Sequence, residues 1–576
     1  MLKKLLSCVG EYKKYAILTP IVMIGEVAME VLIPLVMAFM VDNGISKNDT
    51  AYTVKMGLLM VVMAFFSLAC GALGGKFAAK AGMGFAKNVR KKLFDKVQDF
   101  SFANVDKFST ASLVTRLTTD VTNVQNTFMM IIRMAVRSPF MFIFALIMAI
   151  SINAKLATVF LIVIPVLCVA LGLIISKAFP RFEKMLTKYD ALNSRVQENL
   201  IGIRVVKAFV REKFEGEKFV TSADDVRDAQ VQAEKIVILN QPVMQIAMYA
   251  CIVAVIYFGG TMVIGGNMLI GQLSSFITYI TQILMSLMML SMIFVMTTIS
   301  MASMHRIVEI FDEVPDINDD NADPALLPAD GSIVFDNVSF SYAKDENNLN
   351  LKNIDISIKS GETIGVIGGT GSAKSTLVQL IPRLYDVTDG RILVGGHDVR
   401  DYKIDNLRNE VAMVLQKNVL FSGTIKDNLR WGDENATDEE IIEACKQAQA
   451  HDFVMNFPDG YDTDLGQGGV NVSGGQKQRL CIARALLKKP KIVILDDSTS
   501  AVDTATDANI RHAFKTELAD TTTIIIAQRI SSVSEADRII VLDDGKIDAF
   551  DTHENLLRNN EIYREVYNSQ QKGAEE

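Results

Sequence analysis

The chain has 576 residues, half of them hydrophobic, with a formal net charge of −8. That length exceeds one ordinary domain, and the acidic balance excludes the basic footprint of a nucleic-acid-binding protein. The six cysteines (8, 70, 168, 251, 445 and 481) show no paired spacing, which excludes a zinc site or disulfide framework as the organising element.

The hydrophobic excess falls in the first 300 residues. Long apolar runs near 15–41, 54–76, 127–152, 156–178, 241–264 and 269–299 each reach the roughly 20 residues that a hydrocarbon core requires. The first run is too long for a signal peptide, and no small-residue cleavage pattern follows it. It begins near residue 15, which argues against a peptidase-like domain ahead of it and against leader-cleaving peptide export. Lys3, Lys4, Lys13 and Lys14 precede the first span, and Lys76, Lys80, Lys87, Arg90, Lys91, Lys92 and Lys96 follow the second. The opposite loops carry only Lys47 and Lys155, so the positive-inside bias puts both termini in the cytoplasm.

Phe85, Val89, Leu93 and Val97 recur every fourth residue, which predicts a cytoplasmic helical extension with one packed face. A second extension runs from about 179 to 238, since loops longer than about 12–15 residues usually carry structure of their own. The acidic, proline-containing stretch 311–331 reads as a linker. Beyond it, "SIVFDNVSFSY", "ETIGVIG", "KIVILD" and "TTTIIIA" are strand-like. The last three are nearly continuous apolar runs, as in strands covered on both faces. The expected fold is an all-α, six-helix transmembrane domain over 1–310, followed by an α/β P-loop nucleotide-binding domain over 332–571.

"GVIGGTGSAKSTL" fits a strand, a glycine-rich turn and a helix opening on Lys-Ser. Backbone N–H groups of such a turn cradle phosphate. The nucleotide-binding candidates are Gly368, Thr370, Gly371, Ser372, Ala373, Lys374, Ser375 and Thr376. Lys374 reaches the terminal phosphates and Ser375 ligates Mg²⁺. Ala373 stands where the motif has glycine, so the loop is expected to close with a negative φ at that residue. Asp496 is the expected Mg²⁺ carboxylate at the end of its strand. "NVSGGQKQR" adds a second phosphate-type turn at Ser473, Gly474, Gly475 and Gln476.

Together these motifs resemble an ATP-binding-cassette exporter half-transporter over nearly the whole length. The resemblance makes Gly368–Ser375 the Walker A loop, "IVILD" ending at Asp496 the Walker B strand, and Ser473–Gln476 the signature, with Val472 where leucine is usual. Gln416 matches the Q-loop and joins Ser375 and Asp496 as a metal candidate. "SAVD" at 500–503 matches the D-loop, and Tyr342 the aromatic that stacks on adenine. It implies ATP and Mg²⁺ as cofactors and an ATPase coupled to transport. Its partner is a second half-transporter, each nucleotide lying between the Walker motifs of one chain and the signature of the other. Segments 108–121 and 198–212 resemble the loops that carry the coupling helices. The implied location is the bacterial plasma membrane.

Two positions depart from the family on the catalytic side. The usual glutamate after the Walker B aspartate is Asp497, one methylene shorter, and a general base must stand within hydrogen-bond reach of its proton. The usual histidine after the "IIIA" strand is Gln528, whose neutral amide donates a hydrogen bond but cannot become cationic. With the signature intact, these departures point to one subunit of a heterodimeric multidrug-type exporter. This chain would supply a weakly hydrolytic site and complete its partner's active one. That partner is expected to carry the consensus glutamate and histidine. A regulatory subunit without sustained pumping and a homodimeric lipid or peptide exporter are the alternatives.

Glu26 and Glu30 lie one turn apart on the first span, and Arg133 and Arg137 do so on the third. Intramembrane charges mark functional positions, and a Glu–Arg ion pair between helices explains them equally. Met285, Met288, Met289, Met292 and Met296 suit a surface for varied apolar ligands, or ordinary packing. The expected substrate is small or amphiphilic, and membrane lipid is the other expected contact.

Overall fold

The computed structural model describes residues 1–497, 504–517 and 520–575. Two compact units divide it. One comprises Met1–Gln98 and Thr110–Glu313, the other Asp99–Ser109 and Val314–Glu576.

In the first unit six helices are long and apolar enough to cross a membrane: Gly10–Ile45, Thr50–Gln98, Thr110–Ile152, Ala154–Ile201, Glu212–Ile264 and Ile270–Asp312. The second and fourth contain 49 and 48 residues, more than twice the roughly 20 that a bilayer requires. The surplus of the second helix is the amphipathic part. Phe85, Val89 and Leu93 are buried, and Phe85 stacks on Phe128 with ring centroids 4.6 Å apart.

The intramembrane charges of the first and third spans meet. Arg137 Nη2 donates to both Glu30 oxygens at 2.7 and 2.6 Å, and Arg137 Nε lies 3.6 Å from Glu26 Oε1. Gln282 Nε2 donates to the Glu30 carbonyl at 3.2 Å, bringing in the sixth span. The pairing neutralises charges that are costly in hydrocarbon. Arg137 is therefore an interhelical clamp, whereas Arg133 Nε has no hydrogen-bond partner among the described residues.

Among the described residues, the second unit holds two sheets. Its strands are β1 (Ile333–Phe340), β2 (Leu351–Ile358), β3 (Thr363–Gly368), β4 (Asp389–Val394), β5 (His397–Asp398), β6 (Val411–Val414), β7 (Ile492–Asp496), β8 (Thr522–Ile526), β9 (Arg538–Asp543) and β10 (Lys546–Asp551). Four form an antiparallel sheet in the order β2-β1-β4-β5, and six form a second sheet in the order β10-β9-β3-β8-β7-β6. All neighbours in the second sheet run parallel except β10 and β9. Ile364, Val366, Ile492, Ile494, Ile524 and Ile526 enter one hydrophobic core, while Ile367, Val493, Leu495 and Ile525 enter another. Strands covered on both faces have no polar side to show, which is why these runs are continuously apolar.

Segment 99–109 folds with the second unit. Ser101 and Asn104 form a capping box that opens the helix Phe102–Phe108. Tyr385 Oη donates to Asp106 Oδ2 at 2.7 Å, and Ser101 Oγ donates to Asp316 Oδ1 at 2.5 Å. Of the segment expected at 108–121, only Phe108 and Ser109 fall in this unit, because the residues after them start the third long helix. Segment 198–212 lies in the first unit, around the short helix Ile203–Ala208, with Ile201, Phe209 and Val210 exposed.

Replacing Arg137 with alanine strands two partly buried carboxylates, and breaking such a pair costs up to roughly 3 kcal/mol. Arg137→Ala is expected to lower the thermal unfolding midpoint of the detergent-purified protein, and Glu26→Gln/Glu30→Gln/Arg137→Gln to recover most of the loss.

Candidate nucleotide-binding site

Parallel pairing builds this site. Val366 of β3 and Asp496 of β7 both pair with Ile526 of β8. The three strands therefore end side by side, and the loops after them carry 369–375, Asp497 and Gln528. Ligands of open α/β sheets bind at this carboxyl edge.

The loop after β3 turns on its first glycine. A Cβ on Gly368 would stand 2.3 Å from the Leu542 carbonyl oxygen, so no side chain fits there. Lys374 Nζ donates to the Gly368 and Gly369 carbonyls at 2.7 and 2.9 Å. Thr370 and Gly371 are exposed at the turn, and Thr376 is buried behind it. Ala373 departs from expectation. Its φ is +71° and its ψ 27°, the left-handed region, so the loop keeps its shape with an alanine where glycine is relaxed.

Ser375 Oγ donates to Asp496 Oδ1 at 2.9 Å. Burial pushes the Asp496 carboxyl above its ordinary value; the Ser375 hydrogen bond opposes this, and Asp497 adds to it. Burial likewise holds the Lys374 ammonium below its ordinary value, and Asp497 and Asp496 pull it back up. The residues present fit a nucleotide and its metal. Ser372 Oγ is buried with no hydrogen-bond partner among the described residues, and Cβ positions on Gly369 and Gly371 would meet open space. The hydroxyl–carboxylate pair offers the hard oxygen donors that magnesium takes. Ser375 and Asp496 would hold Mg²⁺, which neutralises phosphate charge when bound.

The short acid and the substituted amide prove to be one feature. Asp497 N donates to the Ile526 carbonyl at 3.1 Å, continuing the β7–β8 ladder. Its φ is +49°, and Gln528 Nε2 donates to Asp497 Oδ2 at 2.8 Å. In sequence these are two separate departures; in the fold each is the other's partner.

Tyr342 stands at the rim of the loop. Its hydroxyl lies 3.0 Å from Thr376 Oγ1 and donates to Gln379 Oε1 at 3.4 Å, and Tyr385 meets its ring edge-on with centroids 5.1 Å apart. Gln416 is exposed beyond β6 and donates no hydrogen bond to Ser375 or Asp496 among the described residues. Ser473 caps the helix Gly474–Leu487; its hydroxyl accepts from Gln476 N at 3.3 Å, and Gln476 Oε1 accepts from Ser473 N at 2.9 Å. The capping box leaves Ser473 and Gly474 exposed, with Gly475 half-buried. No hydrogen bond among the described residues joins this turn to the phosphate loop. The expected D-loop, 500–503, lies outside the described residues. Sequence reasoning missed Gln570, whose side chain bonds to the loop after β8; a lone polar residue near the C-terminus gives no local signal.

Known proteins share this architecture. The family described as ABC transporter transmembrane region matches residues 17–287, and the family described as ABC transporter matches residues 351–500. The Bacillus subtilis protein named "Uncharacterized ABC transporter ATP-binding protein YfiB" is 38% identical over 569 residues, covering 99% of this chain and 98% of its own. The chain belongs to the ABC transporter family. This ABC transporter is also 32% identical over 589 residues to the "Putative multidrug export ATP-binding/permease protein YgaD" of Bacillus subtilis, with 99% of each chain covered. It is 32% identical over 484 residues to an "ATP-dependent lipid A-core flippase" of Syntrophus aciditrophicus, covering 84% of this chain and 80% of the relative. Its structure matches that of a bacterial Atm1-family ABC exporter with ATP bound at a TM-score of 0.82 and 25% identity, over 97% of this chain and 98% of the other. Membership implies ATP binding with Mg²⁺ and ATPase-coupled transport, and the six long apolar helices make it a multi-pass membrane protein.

A left-handed alanine costs about 1–2 kcal/mol, of which glycine's extra chain entropy would return part. Ala373→Gly is expected to stabilise the nucleotide-free protein by about 1 kcal/mol, read as a higher thermal unfolding midpoint.

Proposed function

We propose that this ABC transporter is one subunit of a heterodimeric exporter for small or amphiphilic, membrane-partitioned substrates. Its Walker motifs form a weakly hydrolytic ATP site, and its signature completes the active site of a partner that carries the consensus glutamate and histidine. The hydrogen bond from Gln528 to Asp497 carries this reading. A carboxylate one methylene short is held by a neutral amide, and a misplacement of about 1 Å can cost on the order of 10²-fold in rate. Exposure of Ser473 and Gly474, with an intact capping box, supports a signature available to another chain's nucleotide. The substrate class follows the relatives named for multidrug export and for lipid A-core flipping. The basic residues flanking the first two spans support cytoplasmic termini, in a bacterial plasma membrane.

The test is steady-state ATPase activity of the chain purified alone in lipid nanodiscs. Slow turnover is expected, and Asp497→Glu combined with Gln528→His should raise it about 10²-fold, the factor assigned to a misplaced base. Robust activity of the unaltered chain, abolished by Asp497→Asn, would contradict the proposal.

A further inference from the structure

The last helix, Glu561–Glu575, is fastened to the core of the second unit. Tyr563 is fully buried, and its hydroxyl lies 2.7 Å from His553 Nδ1. Tyr563 N donates to Asn560 Oδ1 at 2.8 Å. Ile562, Val566 and Tyr567 pack against the same core. Tyr563, Val566, Tyr567 and Gln570 stand at helical spacing on one face, so the packing that anchors the helix also aims Gln570.

Gln570 meets the loop that follows β8. Its Nε2 donates to the Gln528 carbonyl at 2.8 Å, and its Oε1 accepts from Ile530 N at 2.8 Å. A single side-chain amide thus spans the turn from Gln528 to Ile530. The Gln528 side chain leaves from the same residue and donates to Asp497 Oδ2. Holding the Gln528 carbonyl and the Ile530 N–H fixes the backbone from which that side chain projects, and a long flexible amide keeps one direction only if its base is held.

We propose that Gln570 is a positioning residue for the hydrolytic site. From the C-terminal helix it pins the loop after β8, so that Gln528 is aimed at Asp497. This rests on the proposed reading that Asp497 is the hydrolytic carboxylate and Gln528 the amide that holds it.

The experiment measures single-turnover hydrolysis of γ-labelled ATP, ATP affinity and the thermal unfolding midpoint of the full-length chain in nanodiscs. Gln570→Met keeps side-chain length and helix propensity but removes both hydrogen bonds. It is expected to slow hydrolysis about tenfold, with ATP affinity within about twofold of the unaltered chain and the midpoint unchanged. Gln570→Glu retains the acceptor for Ile530 N–H and loses the donor to the Gln528 carbonyl, so its rate should fall between the two. A methionine variant at the unaltered rate, while Gln528→Ala slows hydrolysis, overturns the role of Gln570 alone. A methionine variant that loses rate only as its midpoint falls also overturns it, since helix packing then explains the loss. An unaltered rate in Gln528→Ala removes the reading beneath the proposal as well.

Discussion

At the carboxyl edge of the six-stranded sheet, two side chains 31 residues apart in sequence share one hydrogen bond, from Gln528 Nε2 to Asp497 Oδ2. The rest of the nucleotide site is organised around the strands that make this contact possible. β7 and β8 run parallel in a register that puts Asp496 opposite Ile526. Asp497 then extends the ladder by one more bond, and Gln528 follows two residues beyond Ile526. β3 lies on the other side of β8, which brings the phosphate loop and Lys374 to the same edge. A general base needs both reach and aim. On the proposed reading, reach is shortened by one methylene, and aim is shared with an amide that cannot relay a proton.

The two units solve different solvation problems with the same device, a charge held by neighbours on separate elements. In the membrane unit, Arg137 answers the carboxylates of Glu30 and Glu26 and so fastens the first span to the third. Such a pair neutralises charges in a medium that solvates them poorly. In the nucleotide-binding unit, Lys374 is partly desolvated beside Asp496 and Asp497, and its ammonium is occupied by loop carbonyls. The phosphate loop accepts strain at Ala373, a backbone conformation that glycine would adopt freely.

Much of this was legible in the sequence where local chemistry leaves a mark. Six apolar runs announce six helices, because hydrocarbon thickness sets their length. Doubly buried strands announce themselves as unbroken apolar runs, and the glycines and lysine of 368–375 announce a phosphate loop. Contacts set by tertiary register left no such mark. Asp497 and Gln528 read as two unrelated departures, since nothing in either neighbourhood states that β7 lies beside β8. The helical spacing of Glu26 with Glu30 and of Arg133 with Arg137 puts each pair on one face, but not that Arg137 rather than Arg133 takes the carboxylates. The helix Phe102–Phe108 was missed as part of the second unit because its anchors, Asp316 and Tyr385, lie more than two hundred residues away.

On the proposed reading, this chain's own site binds ATP firmly and cleaves it slowly. Its most direct test is the nucleotide retained by the purified transporter after incubation with Mg²⁺ and ATP and rapid removal of free nucleotide, with the ATP-to-ADP ratio assigned to this chain by photo-crosslinking. This chain is expected to retain mainly intact ATP. Retention of mainly ADP and phosphate would contradict it.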